Sequence, residues 1–202
     1  MMSPIKQTSL LTLLVLLCAS YSCRHVAVPK PKGHFRIDLP ERQYIQFKDQ
    51  PGRNTKLPFS FEYPAYGHLS FQQEIGDKTG WFNIEFPAYK AKIYLTYKDI
   101  KNDFADLMEQ TYKMNVKNHI TMADAINEQE FNNQENKVYG ILYDLKGNTA
   151  SPVQFYVSDS VNHYLRGSLY FASEPNADSL SPVIEFFRAD IIHLIETLKW
   201  EK

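Results

Sequence analysis

The sequence predicts an α+β domain in which helices cover an antiparallel sheet, and three observations carry that reading. Short aromatic runs in the first half alternate with a period of two, the period turns helical near Asn102, and a long apolar stripe at helical spacing closes the chain.

Phe59, Phe61 and Tyr63 share one face of the first alternating run, and Phe82, Ile84 and Phe86 do so in the second. Ala91, Ile93, Leu95 and Tyr97 make the third. Alternation of this kind buries one face of a strand and leaves the other polar. Pro58, Pro64, Gly67, Gly76, Gly80 and Pro87 punctuate the runs as turn residues.

Phe104, Leu107, Met108 and Tyr112 then fall at helical offsets, with Asp103 and Asp106 in the first turn, where negative charge suits the macrodipole. The pattern predicts a helix of about 15 residues ending near Asn118. Residues 120–136 are polar, and their composition allows a helical turn or two around Ala123 to Ile126 followed by a loop. A three-stranded antiparallel meander follows: 137–145, 152–157 and 163–172, joined by turns at 146–148 and 158–162. Glu174, Pro175 and Asn176 stop it.

The last element is a helix capped by Ser179 or Ser181, with Pro182 in the first turn, where its missing N–H costs nothing. Ile184, Phe187, Ile191, Leu194 and Leu198 form its apolar stripe. Each such side chain contributes roughly 1.5 to 3 kcal/mol on burial, before the entropy of ordering it, so the helix must pack on the sheet. This order of elements resembles the PsbP-like sandwich, a likeness of fold that assigns no function.

The first 22 residues read as a lipoprotein signal peptide. Lys6 supplies a basic start, Leu10 to Leu17 an apolar run too short to span a bilayer, and Ser20, Tyr21 and Ser22 lead into Cys23. Cys23 is then the acylated first residue of the mature chain, and Cys18 is discarded with the leader. Arg24 to Lys32 alternates prolines with lysines, which makes residues 23–32 an extended tether, and 33–202 a single domain. No acidic residue follows Cys23, from which we expect a lipid anchor on the periplasmic face of the outer membrane.

With both cysteines in or at the end of the leader, the mature domain has no thiol for a disulfide, a zinc cluster or nucleophilic catalysis. The mature chain carries 21 Lys and Arg, Lys6 being lost, against 23 Asp and Glu, in no long block of either sign. That balance argues against nucleic acid as a partner.

The sequence has no GxGxxG, GxxxxGK[ST], HExxH or GxSxG, so it offers no cofactor-binding motif. Ser158, Asp159, Ser160 and His163 put a hydroxyl, a carboxylate and an imidazole within six residues, but a hairpin turn selects the same residues. His25, His34, His68, His119, His163 and His193 show no metal-ligand spacing, and His193 reads as a residue flanking the apolar stripe. We therefore expect no catalytic, cofactor or metal site. The excess is aromatic, 13 Tyr and 13 Phe. Tyr139 and Tyr143 share one strand face, and Tyr164 and Tyr170 another; covered by a helix that face is core, and left open it is a docking surface or cleft.

The segments PKGHFRIDLP (31–40), PFSFEYP (58–64), WFNIEFPAYKAKIYLTYKDI (81–100), VYGILYDLKGNTASPVQFYVSD (138–159), HYLRGSLYF (163–171) and ETLKW (196–200) resemble the gliding motility lipoprotein GldD family of Bacteroidota. The resemblance spans essentially the whole mature chain. It implies an envelope lipoprotein needed for gliding and for the type IX secretion system, with no enzymatic activity established; with the lipid on Cys23 we expect a palmitate-bearing, non-enzymatic outer-membrane component. Its partners would be the membrane, through the N-terminal lipid, and other envelope proteins of that machinery. Only Cys23 transfers as a functional residue. The rival reading is a periplasmic small-molecule-binding lipoprotein with a pocket between sheet and helices.

Overall fold

The computed structural model describes residues 37–47, 57–71 and 80–201, all within the unit Phe35–Lys202. The leader 1–22, Cys23 and the tether lie outside the described residues. In chain order the strands are β1 (Tyr44–Gln46), β2 (Phe59–Ser60), β3 (Glu62–Pro64), β4 (His68–Phe71), β5 (Trp81–Phe86), β6 (Ala91–Asp99), β7 (Ala125–Asn133), β8 (Val138–Lys146), β9 (Val153–Ser158), β10 (His163–Phe171) and β11 (Lys199–Trp200). Helix α1 (Phe104–Tyr112) continues into a π-helical segment, Lys113–Lys117, and helix α2 spans Ala177–Thr197.

Seven strands form one antiparallel sheet in the order β4-β5-β6-β10-β9-β8-β7. The predicted meander is β8-β9-β10, and β10 closes onto β6 over nine paired positions. Two small ladders stand apart from it: β1 pairs with β3 within the start of the domain, and β2 with β11 ties that start to the end. This is the expected α+β architecture.

Alternation decides what packs where. Phe82, Ile84 and Phe86 on β5, Ile93 and Leu95 on β6, Phe155 on β9 and Leu165 and Leu169 on β10 point to one face, where α2 lies. From α2, Val183, Phe186, Phe187, Ile191, Leu194 and Ile195 meet them. Phe187 is the centre of an aromatic group, 4.5 Å from Phe86 between ring centroids and 5.7 Å from Phe186. Gly167 carries no side chain because Phe155 lies over it: a Cβ there would sit 2.1 Å from the ring's Cε1.

Three expectations change. Residues 125–133 are a full strand, β7, at the sheet edge, not a helical turn followed by a loop; the helical turn sits earlier, where Met122 and Ala123 donate to the His119 carbonyl. An edge strand half open to water needs no apolar alternation, which is why its polar residues concealed it. Arg188 of α2 clamps it, with Nε donating to both oxygens of Asp144 at 2.8–2.9 Å and Nη2 donating to Gln129 at 2.7 Å.

Helix α2 starts earlier than either predicted serine cap. Asn176 is the cap, its Oδ1 accepting from the Ser179 N–H at 3.2 Å, so Pro182 is an interior residue. Leu198 is buried but lies just past the helix in extended conformation, and Ile184 is only half-buried.

The buried side of α1 and its π-helical extension runs Leu107, Thr111, Asn115 and Val116, not Phe104, Met108 and Tyr112, of which Tyr112 is exposed. The second sheet face, polar and aromatic, explains the exchange.

Candidate functional site

The face turned away from α2 is built in rows by strand register. One row runs Trp81, Thr96, Arg166 and Tyr156 across β5, β6, β10 and β9; the next runs Asn83, Tyr94, Ser168, Gln154 and Tyr143. Helix α1 and the π-helical turn cover only the meander side. There Thr111 accepts from the Tyr164 hydroxyl while donating its own to the Leu107 carbonyl at 2.6 Å. Val116 packs on Tyr143 and Leu145. The two tyrosine pairs thus share one face and divide: Tyr143 and Tyr164 are core, whereas Tyr170 is 38 % exposed.

Arg166 stands where cover ends. Its Nε and Nη2 donate to Asn115 Oδ1 at 3.3 and 3.0 Å, and Nη2 donates to Gln154 Oε1 at 3.1 Å. An arginine only donates, so the amide oxygens must face it, which leaves Asn115 Nδ2 buried without a partner. Gln154 Nε2 then points at His119 Nε2, 3.2 Å away, and can donate only if that ring nitrogen is unprotonated. Burial, followed by the charge of Arg166, holds His119 below its ordinary pKa, in keeping with a neutral ring. Burial also lowers the pKa of Arg166, whose guanidinium nonetheless stays charged at physiological pH. Asn115 reaches it from a π turn, a rare geometry that recurs at functional sites.

Two cavities meet at Trp81, Thr96 and Arg166. One, of about 390 Å³, lies on the open sheet, walled by Tyr94 and Tyr170 and floored by Asn83 and Ser168. The other, of about 320 Å³, runs under α1 between Leu107, Met114 and Tyr164, with Lys98 at its wall. Tyr94, 42 % exposed, meets Tyr170 edge to face at 5.4 Å. Lys92 pairs with Glu85 at 2.8 Å and spans toward the Tyr94 ring.

The residues singled out in the sequence take other roles. Ser158, Asp159, Ser160 and His163 form a turn: Asp159 Oδ1 accepts from the backbone N–H groups of Val161, Asn162 and His163 at 2.8–3.0 Å. Burial raises the Asp159 pKa, but those three donors outweigh it and the net direction is down. The Ser158 hydroxyl donates to the His163 carbonyl at 2.7 Å, and the His163 ring contacts the Tyr97 hydroxyl at 2.8 Å, so hydroxyl and imidazole do not address each other. His193 is a boundary residue, stacked on Tyr44 at 3.6 Å and 2.7 Å from Glu62 Oε2.

Beside it lies a cluster absent from the sequence reading. The buried Asp190 of α2 accepts from the hydroxyls of Tyr44 (2.9 Å) and Tyr66 and from Arg42 Nε (3.3 Å). Burial pushes the Asp190 carboxyl above its ordinary range against these donors, and burial, followed by the Asp190 hydrogen bond and charge, pushes Tyr44 up to about 12. This staple fixes the entry of the chain to α2. Arg166 was also missed, although its alternation with Leu165 and Gly167 on a strand placed it outside the apolar face. Among the described residues no three His, Cys, Asp or Glu side chains converge as a metal site would require, and no helix is long and apolar enough to cross a membrane.

A family model described as gliding motility lipoprotein GldD matches residues 24–200. No curated protein matches the chain. Among solved structures, cyanobacterial PsbP (CyanoP) from Synechocystis aligns at 11 % identity with a TM-score of 0.44, covering 85 % of this chain and 99 % of that one.

Proposed function

Because the chain belongs to the gliding motility lipoprotein GldD family, we propose that it is a non-catalytic assembly component of the gliding and type IX secretion machinery, held at the outer membrane by lipid on Cys23. Its role in gliding motility and its lipoprotein character follow from the family; the scaffold role, the outer membrane and the periplasmic face are our reading. One observation supports docking above all. The sheet face that α1 leaves uncovered carries Tyr94 and Tyr170, both more than a third exposed, beside Trp81 and Arg166. Aromatic and arginine side chains at the centre of an open patch are the residues that anchor protein partners.

The test is co-purification of the full-length lipoprotein from detergent-solubilised membranes. The wild type should carry envelope components of the motility machinery, and Tyr94→Ala/Tyr170→Ala should lose them without unfolding. If the lipoprotein emerges alone while those components stay together, direct partnership is refuted. Radiolabelled palmitate should enter the wild type and not Cys23→Ala; equal labelling removes the anchor.

A second reading, binding of a small molecule, is favoured by the two adjacent cavities of about 390 and 320 Å³, each within the range that holds drug-sized ligands.

A further inference from the structure

Arg166 is charged, mostly withdrawn from water and, among the described residues, touched by no carboxylate. A buried cation is ordinarily paired, because desolvation leaves it seeking an anion. Here its partners are the neutral amide oxygens of Asn115 and Gln154, which fix the guanidinium in place without neutralising it. They occupy Nε and Nη2. The Nη1 group keeps two N–H donors with no partner among the described residues, and it is not one of the side-chain atoms there that are both sealed from solvent and unpartnered, Asn115 Nδ2 and Ser151 Oγ, so it remains open to solvent.

We propose that the cleft over Arg166 binds a carboxylate carried on a flat or apolar group. The guanidinium reaches both cavities at their junction, so an anion held at Nη1 would send its attached body along the Tyr94 and Tyr170 walls or under α1. The floor offers Asn83, Thr96 and Ser168 as further polar contacts. Glu85 of this face is already held by Lys92 at 2.8 Å and by the Ser70 hydroxyl at 2.7 Å. Among the described residues lining the open-sheet side, Arg166 is the one cation and matches a monoanion, and the Tyr94 and Tyr170 walls suit an apolar body better than the second charge of a phosphate dianion.

The inference rests on the docking reading only in sharing its face. That reading fails if the wild type co-purifies with nothing, whereas this one fails in the titration that follows, on purified protein.

Full-length lipoprotein in detergent micelles, carrying Trp200→Phe so that Trp81 is the single tryptophan, is titrated with N-acetylphenylalanine and with its amide, which differ only in the carboxylate. The acid should change Trp81 emission saturably, and the amide should bind at least tenfold more weakly. Arg166→Gln should reduce the acid to the level of the amide. Should that variant fail to fold, the comparison of acid with amide in the Trp200→Phe background still decides. Equal binding of acid and amide, no saturable response to either, or displacement of the acid by an equal concentration of inorganic phosphate would overturn the proposal. A hexapeptide ending in phenylalanine separates two sources that both support it: tighter binding than the free acid indicates a chain terminus of a partner protein, and equal binding indicates a small carboxylate.

Discussion

Phe187→Ala tests the claim that the face of the sheet under α2 holds the domain together. The Phe187 ring is fully buried, with centroids 4.5 Å from Phe86, 5.7 Å from Tyr89 and 6.2 Å from Phe171, so its removal leaves a void bounded by rings on three other segments. Truncating such a residue costs about 3–5 kcal/mol, transfer and cavity terms together. Against a stability of about 5–15 kcal/mol for a domain of this size, the variant folds but with a much reduced margin. At roughly 2–4 °C per kcal/mol, the melting temperature should fall by about 6–20 °C. Urea titration followed by circular dichroism gives the free energy, and a thermal scan gives the temperature. Tyr170→Ala is the control, because that ring is 38 % exposed and its loss should cost less than about 1 kcal/mol. A Phe187→Ala loss below about 1 kcal/mol, or one matched by Tyr170→Ala, would refute the assignment of inner and outer faces.

Gly140→Ala should destabilise by about 1–3 kcal/mol or more in the same titration, because a Cβ there would lie 2.0 Å from the Tyr156 carbonyl oxygen, a backbone atom of the paired strand; a neutral effect would mean the β8–β9 register is wrong. Ser151→Ala should be neutral or stabilising by up to about 1 kcal/mol, since it removes a buried hydroxyl with no partner; a clear loss of stability would reveal a bond the structure does not contain. His119, held below its ordinary pKa by burial and by Arg166, binds its proton more readily when unfolded. Its contribution to stability is therefore full above the unfolded value near 6.5 and is lost as pH falls toward the folded one. Denaturation midpoints from pH 7.5 to 5 should decline less steeply in His119→Gln than in the wild type, and superimposable curves would remove His119 from that role.

Much of this fold was legible in local pattern. Runs such as 82–86 and 91–97 pair apolar with polar positions at a period of two, and the stripe from Phe187 to Leu194 repeats at helical spacing, because one side of each must leave water. The misread elements are those whose stability is not local. β7 is held by nine backbone pairings and by Arg188, and nothing in the side chains of NEQEFNN announces a strand. The cap at Asn176 was hidden by two later serines that serve equally well in composition.

The sequence by itself determined the two periodicities, the turns between them and the absence of thiols beyond Cys23, and it is the ground for expecting a leader over 1–22. These depend on neighbours a few residues apart. Only the tertiary structure decided which tyrosines are core and which are surface, since Tyr164 and Tyr170 stand on the same strand face and differ only in whether α1 passes over them. It also decided the state of Arg166, whose environment is made by Asn115 and Gln154, 51 and 12 residues away. A charge becomes a binding site through what the fold withholds from it, and that is set by segments that no local pattern brings together.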